Sequence, residues 1–338
     1  MKLKALVSVS FVFALFVLAG VMSVSAQNTA ATPSPTPKPG ATPRLEDIEI
    51  KIDTELAAFE VTVTDKKGLP VRGLTAADFR VLENGIERKI DFFQPIRKKE
   101  TGRPLSIVFA LDVSGSMTEV ELERLRTAMQ GFVKRLADYE SYFAIMSFAM
   151  EVKTAQSFTN RPDRLEEAFR KLRRDQDGLS THAYDAVDEA VRLIKKKSPK
   201  SIKNRFPRRA VILITDGFPV GDIVSPRTVI ERANQSETSV FSVILPSFSR
   251  LQRDRKPLLT PLEASGLSEK TGGTSVSANE SNYQRIFDAL AEEITSSYAI
   301  AFYPNDDGDR GTGVKQVRIE SRSGFNLRQN RDGYKPKQ

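Results

Sequence analysis

Residues 105–116 have the sequence LSIVFALDVSGS, an apolar run followed at once by a turn that carries one carboxylate and two hydroxyl groups. The run over residues 105–111 has the length and composition of a buried strand. Asp112, Ser114 and Ser116 then stand at alternate positions. Asp and Ser suit turns because their side chains compete for backbone hydrogen bonds. Three oxygen side chains at this spacing also resemble half of the ligand set of a hard cation.

The segment 103–296 around this stretch alternates strand and helix patterns. Strands are expected over residues 105–111, 142–148, 210–215, 240–245 and, more weakly, 274–277. Apolar residues at three- and four-residue spacing predict helices over residues 122–136, 184–194 and 283–294. Such alternation predicts an α/β domain with a Rossmann-like, doubly wound, mostly parallel sheet that is covered on both faces.

The flanking segments 45–102 and 297–336 have β patterns. Phe59, Val61 and Val63 alternate with polar residues, which predicts a half-buried strand. Neither segment has enough strands to be stable alone. We therefore expect both to form one small β-sandwich into which the α/β domain is inserted, with two independent sheets as the alternative.

The N-terminus has the layout of an export signal. Lys2 and Lys4 precede an apolar run over residues 5–22, and small residues lead to Ala26. This pattern predicts a signal peptide over residues 1–26 that is cleaved after Ala26. The run is long, so an uncleaved N-terminal membrane anchor is the alternative. Residues 27–44 are rich in Thr and Pro and predict an extended linker. We expect an exported protein, either periplasmic or secreted.

Composition narrows the classes of partner. The chain has no cysteine, which removes thiolate metal sites and disulfides, and its formal net charge is +8. Export makes an anionic envelope polymer a better partner for this charge than nucleic acid, and no phosphate-binding loop motif supports a nucleotide site. The basic stretch 195–209 leads into the amino end of a strand, and we expect it to be a solvated loop, with an anionic polymer as a possible partner.

Further oxygen side chains follow other strand ends. The predicted strand 210–215 runs directly into Asp216. In open α/β sheets, ligands bind beyond the carboxyl ends of the strands, so Asp112 and Asp216 would meet if their strands were neighbours. Ser180 and Thr181 precede a predicted helix. Taken alone, either residue would be interpreted as the N-cap of that helix.

Taken together, Asp112, Ser114, Ser116, Thr181 and Asp216 resemble the metal-ion-dependent adhesion site of the von Willebrand factor A (VWFA) domain family. The flanking sequences GLTAADFRVLENG at 73–85 and YAIAFY at 298–303 are similar to those of exported bacterial VWFA-related proteins. The resemblance implies a VWFA domain over residues 103–296 that binds Mg²⁺ or Mn²⁺ through these five residues. It also implies that the bound ion captures a carboxylate of a partner protein without catalysis.

Other interpretations of these residues stay open. His182 is the only histidine, and with Ser114 it could form part of a serine hydrolase site, although no G-x-S-x-G motif surrounds Ser114. A metal-free structural module of the envelope is a second alternative. A basic cluster beyond the strand 240–245 would lie near the metal and steer acidic ligands, unless it is simply solvated. This cluster consists of Arg250, Arg253, Arg255 and Lys256.

Overall fold

The computed structural model describes residues 56–98, 102–115, 118–175, 180–200, 205–245, 259–279, 282–304 and 313–335. The predicted signal peptide, the linker, Ser116 and the cluster Arg250, Arg253, Arg255 and Lys256 lie outside the described residues. Within the described ranges, no helix is both long enough and apolar enough to cross a membrane.

The strands, in chain order, are β1 (Ala57–Thr64), β2 (Phe79–Glu83), β3 (Ile86–Arg88), β4 (Phe92–Pro95), β5 (Leu105–Asp112), β6 (Ser141–Phe148), β7 (Val152–Thr159), β8 (Arg208–Thr215), β9 (Thr238–Ile244), β10 (Ser275–Ser277), β11 (Ser297–Phe302), β12 (Lys315–Ser321), β13 (Asn326–Gln329) and β14 (Gly333–Tyr334). The α-helices are α1 (Glu119–Arg135), α2 (Pro162–Lys171), α3 (Ala183–Lys197), α4 (Pro226–Gln235), α5 (Pro261–Ala264) and α6 (Tyr283–Thr295).

The α/β part is built on a six-stranded sheet with the order β10-β9-β8-β5-β6-β7. Neighbouring strands are parallel except for β7, which runs antiparallel to β6. Every residue of β5 is buried, as expected for a central strand covered on both faces. One apolar core contains residues of α1, α2 and α6, and the other contains residues of α3 and α4. The predicted α/β fold is confirmed.

Two four-stranded antiparallel sheets lie beside the α/β part, with the orders β13-β1-β11-β4 and β14-β12-β2-β3. They share one apolar core, to which Phe59 and Ile300 contribute from the first sheet and Val81 and Ile319 from the second. Both sheets therefore combine strands from before and after the α/β segment. The alternative of two independent sheets, one for each flank, is wrong.

The prediction that β1 is half-buried is also wrong. Glu60, on the polar face of this strand, is buried, and its carboxylate accepts hydrogen bonds from Nη1 and Nη2 of Arg103 at 2.8 and 2.9 Å. Arg208 Nε lies 3.4 Å from the same carboxylate. Burial alone would raise the pKa of Glu60, but the two guanidinium groups outweigh it and hold this pKa below its ordinary value. The polar face of β1 is thus an ion-paired contact with the α/β part.

The basic stretch 195–209 is only partly the solvated loop that its charge predicts. Arg208 is 1% exposed, and its Nη1 donates to Ser239 Oγ at 2.9 Å. Arg205 donates to Glu140 at 2.9 Å. The lysines at 195–197 are exposed at the end of α3. Arg205 and Arg208 are therefore committed to contacts within the protein and do not present their charge to a polymer.

Candidate metal site

The carboxyl ends of β5 and β8 are adjacent, and each ends in an oxygen side chain. Asp112, the last residue of β5, is 2% exposed. Its Oδ1 accepts a hydrogen bond from the backbone N–H of Ser114 at 2.9 Å, and its Oδ2 accepts one from the Thr215 hydroxyl at 2.7 Å. Ser114 is also buried. Both carboxylate oxygens of Asp112 are therefore oriented by the protein, and the DVSGS turn is fixed to the end of β8.

The electrostatic environment of Asp112 disfavours an isolated negative charge. Burial raises the pKa of this carboxyl above its ordinary range. Hydrogen bonds from Ser114 and Thr215 oppose the shift, whereas the nearby Asp216 carboxylate adds to it. Among the described residues, neither Asp112 nor Asp216 forms an ion pair with a Lys, Arg or His.

Asp216 follows β8 directly, and contacts of Gly217 and Phe218 fix the loop that carries it. Oδ1 of Asp216 accepts a hydrogen bond from the backbone N–H of Phe218 at 3.1 Å. Gly217 has φ +83, and a Cβ atom there would lie 2.8 Å from the side chain of Thr260. A side chain at position 217 would thus be strained and would also collide with the residue that caps α5. The close approach fixes Asp216 between the ends of β8 and α5.

Thr181 reaches the same edge from the segment before α3. It is 8% exposed and exchanges two backbone hydrogen bonds with Val220, at 3.0 and 2.9 Å, in the loop that follows Asp216. The N-cap of α3 is His182. Neither Ser180 nor Thr181 therefore occupies the N-cap position that each would be given if it were considered alone. Thr181 is held instead by the loop that carries Asp216.

Sequence reasoning missed the residues that hold these loops together. The Asp185 carboxylate accepts hydrogen bonds from the backbone N–H groups of Ile223 and Val224, at 3.1 and 2.8 Å, and lies 3.2 Å from Nδ1 of His182. Asp222 in turn accepts a hydrogen bond from the Asp185 N–H at 2.8 Å. Nothing in the sequence marks Asp185, because it looks like any acidic residue in the first turn of a helix.

A second missed contact lies beside the DVSGS turn. Arg174 Nη2 donates to the carbonyl oxygen of Gly115 at 2.9 Å, and the N–H of Asp175 donates to Val113 at 2.7 Å. The chain after α2 is thus fixed along the turn that carries Ser114. These residues follow α2, which the sequence analysis did not predict, as it also did not predict α4 and α5, so no pattern pointed to them.

The donor set suits a hard divalent cation. Two carboxylates, neither of which is ion-paired with a described residue, lie at the same edge of the sheet as the hydroxyl-bearing residues Ser114 and Thr181. All four side chains supply only oxygen, the ligand type of Mg²⁺ and Mn²⁺. The described residues contain no cluster of three or more His, Asp or Glu that would hold a metal without hydroxyl groups. Ser116 and the cluster Arg250, Arg253, Arg255 and Lys256 lie outside the described residues, so their roles stay predictions.

Part of the chain is similar to known proteins. Residues 106–264 match the von Willebrand factor type A domain family. Inter-alpha-trypsin inhibitor heavy chain H2 of Mus musculus is 24% identical over 145 residues, and heavy chain H4 of Sus scrofa is 27% identical over 146 residues. Each alignment covers 41% of this chain and 15% of the relative. The similarity therefore concerns one domain of much longer proteins.

Similar solved structures include an aerotolerance-related membrane protein from Bacteroides fragilis, with 18% identity and a TM-score of 0.44. That alignment covers 56% of this chain and 98% of the other. The vWF domain of the type V pili tip protein Mfa5 from Porphyromonas gingivalis has 14% identity and a TM-score of 0.42, with 57% and 95% coverage.

Proposed function

We propose, from the premise that residues 106–264 form a von Willebrand factor type A domain, that the chain is an exported module that binds a partner protein through a divalent cation. Domains of this family are protein-interaction modules in general. The observation that carries the proposal is the convergence of Asp112, Ser114, Thr181 and Asp216 at one edge of the sheet from three separate segments. We assign these residues to a metal-ion-dependent adhesion site, to which Ser116 would add a fifth.

Each residue contributes a distinct part of the proposed binding. The hydroxyl groups of Ser114 and Thr181 are neutral donors, so they would leave most of the charge of a cation uncompensated. Asp112 orients the turn through the Ser114 N–H, and Thr215 orients Asp112. A bound Mg²⁺ or Mn²⁺ would supply an electrophilic position for a carboxylate of the partner. Asp216 lies beside Asp112 and adds negative charge that favours the cation.

The proposal includes export and excludes catalysis. Export rests on the predicted signal peptide over residues 1–26, which leads to a periplasmic or secreted product. The non-enzymatic role rests on the sequence around Ser114, which lacks the G-x-S-x-G motif of a serine hydrolase. The imidazole of His182 lies beside Asp185, whose carboxylate is engaged by the backbone N–H groups of Ile223 and Val224. His182 is thus part of the structure that fixes the loop.

The test is the melting temperature of the full chain with Mg²⁺, with Mn²⁺ and with EDTA. A ligand that binds only the folded state stabilises it, by about 2.7 kcal/mol at a hundredfold excess over its Kd. For the wild type, we expect a higher melting temperature with either metal than with EDTA. We expect no such difference in any of the three single variants Asp112→Ala, Ser114→Ala and Thr181→Ala. A wild-type melting temperature that does not change with metal would contradict the proposal and favour a metal-free structural module.

A further inference from the structure

The strand β12 of the β-sandwich is paired on one side and largely open on the other. On the paired side, β2 lies along residues 317–321. On the other side, β14 lies along residues 315–316. Within the described residues, the backbone ladder on that side reaches Val317, whose N–H donates to the carbonyl oxygen of Asp332 at 2.8 Å, and no strand continues it. Residues 318–321 therefore form an open edge of the sheet.

A side chain stands at this edge where a neighbouring strand would lie. Gln329 accepts a hydrogen bond from the N–H of Ile319 at 2.9 Å through Oε1, and it donates to the carbonyl oxygen of Val317 at 2.7 Å through Nε2. A glutamine amide has the same kinds of donor and acceptor as a peptide group. Open strand edges with such backbone groups are templates for a further strand. The Gln329 contacts thus show that the open edge binds an amide group.

A groove with a volume of about 880 Å³ runs along the open edge. Its lining includes Val317 and Ile319 of β12, which are buried in the core of the β-sandwich. It also includes Phe325 and Leu327, which pack against the same core but are only half-buried. When a strand adds to a sheet edge, its backbone pairs with the edge and its alternate side chains fill apolar pockets beside it. The groove offers both features.

The chain itself contains a segment that suits this groove. Residues 48–53, which lie outside the described residues, have the sequence IEIKID. Three isoleucines alternate with charged residues, which is the pattern of a strand with one apolar face. The segment precedes β1 directly, but it does not suit a straight continuation of that strand. The inward-facing residues of β1, such as Phe59, have odd numbers, whereas the isoleucines have even numbers.

A straight strand would place these isoleucines on the face of Glu60, which forms ion pairs, because side chains alternate between faces. Asp53 and Thr54 follow the segment and are residue types that favour turns. A turn at these residues would free the isoleucines from the polar face of β1. The segment can then lie beside a different strand.

The start of β1 lies close to one end of the groove. Nη2 of Arg331 donates to the carbonyl oxygen of Ala58 at 2.6 Å, and the next residue, Asp332, lines the groove. Five extended residues span about 17 Å, so the chain from residue 52 to Ala57 is long enough to reach this end. Because β12 begins at the same end, a segment that finishes there runs antiparallel to β12.

We propose that residues 48–52 add to the open edge of β12 as an antiparallel strand, in which a backbone peptide group takes the place of the Gln329 amide. The isoleucines would cover Phe325 and Leu327, and the charged residues between them would face solvent. The docked strand would fix the point at which the Thr- and Pro-rich segment 27–44 leaves the β-sandwich. This proposal does not depend on the metal site.

The test is amide hydrogen exchange of the full chain, followed by mass spectrometry. The test variant combines Ile48→Ser, Ile50→Ser and Ile52→Ser, which removes the apolar face of the segment. We expect the amides of residues 48–52 to exchange roughly tenfold or more slowly in the wild type than in this variant. The amides of residues 318–321 should also exchange faster in the variant, because they lose the same pairing. The matched control, Glu49→Ser with Lys51→Ser, changes the solvent face alone and should keep the slow exchange.

Gln329→Ala tests which group pairs with the edge. If the segment has replaced the glutamine amide, this substitution should leave the exchange rates of residues 48–52 and 318–321 within about twofold of the wild type. If the amide itself occupies the edge, its removal should speed the exchange of the Ile319 N–H, which loses its acceptor. That second result would overturn the proposal.

Three further results would overturn the proposal. The first is exchange of residues 48–52 in the wild type at the rate of an unstructured peptide. The second is slow exchange of residues 48–52 with no change at residues 318–321 in the triple serine variant, which would place the segment elsewhere. The third is slow exchange that is lost on dilution together with a dimer in sedimentation, which would identify the segment of a second copy as the occupant.

Discussion

The hydroxyl of Thr215 donates a hydrogen bond to Oδ2 of Asp112 at 2.7 Å and so joins the last residues of two parallel strands. Thr215 is fully buried, and Asp112 is nearly so. The bond gives the Asp112 carboxylate a fixed orientation in which Oδ1 is left for the N–H of Ser114. The central acidic residue of the candidate site is therefore positioned by a residue outside the recognisable motif.

Replacement of Thr215 by Val removes this donor with little change in volume. We expect Thr215→Val to lower the free energy of unfolding in EDTA by about 1–3 kcal/mol, because a buried carboxylate oxygen loses its partner. We also expect a smaller rise in melting temperature with Mn²⁺ than in the wild type. Thr215→Ser, which keeps the hydroxyl, should retain the metal response. Equal loss of that response in both variants would contradict the role of the hydrogen bond.

The second prediction concerns Glu60, which joins the β-sandwich to the α/β part through Arg103 and Arg208. Glu60→Gln would remove the carboxylate that is ion-paired with two buried guanidinium groups. We expect the free energy of unfolding to fall by about 3–5 kcal/mol in urea denaturation. Glu167→Gln removes the partner of Lys171 in an exposed pair, and it should leave the unfolding midpoint unchanged. A Glu60→Gln variant as stable as Glu167→Gln would refute the prediction.

The Glu60 carboxylate should also make the free energy of unfolding depend on pH. The pKa of Glu60 is lowered in the folded state from its ordinary value of 4.5, so folding favours the charged form. Its contribution is complete above that ordinary value and is lost as the pH falls through the folded-state pKa. The difference in unfolding free energy between wild type and Glu60→Gln should therefore shrink over the acidic range below pH 4.5. A difference that stays constant over this range would exclude Glu60 as the titrating group.

The sequence predicts the parts of this site that stand at the ends of strands. Asp112 and Asp216 follow apolar runs that have the pattern of buried parallel strands, and parallel strands end at the same edge. Thr215 escapes notice because a threonine inside such a run is an ordinary strand residue. Asp185 escapes notice because its partners, Ile223 and Val224, lie far along the chain and are known only from the tertiary fold.

Errors in the predicted fold have a similar origin. Alternation places Glu60 on a polar face, but a polar face covered by another domain has the same pattern as one that faces water. The strand β7 is mostly exposed and polar, so it lacks the apolar signal on which strand prediction depends. In both cases the missing information is the partner surface, which periodicity within one segment does not encode.

Gly217 provides a test of how the Asp216 loop is positioned. Gly217 and Gly324 both have positive φ, +83 and +72, but only Gly217 has a neighbour in the way, the side chain of Thr260. Gly324→Ala should cost about 1 kcal/mol of stability from backbone strain and leave the metal response intact. Gly217→Ala bears the same strain and must also displace the N-cap of α5, so we expect a larger loss of stability and a weakened rise in melting temperature with Mg²⁺. If Gly217→Ala matched Gly324→Ala in both measurements, the contact with Thr260 would not be what fixes Asp216.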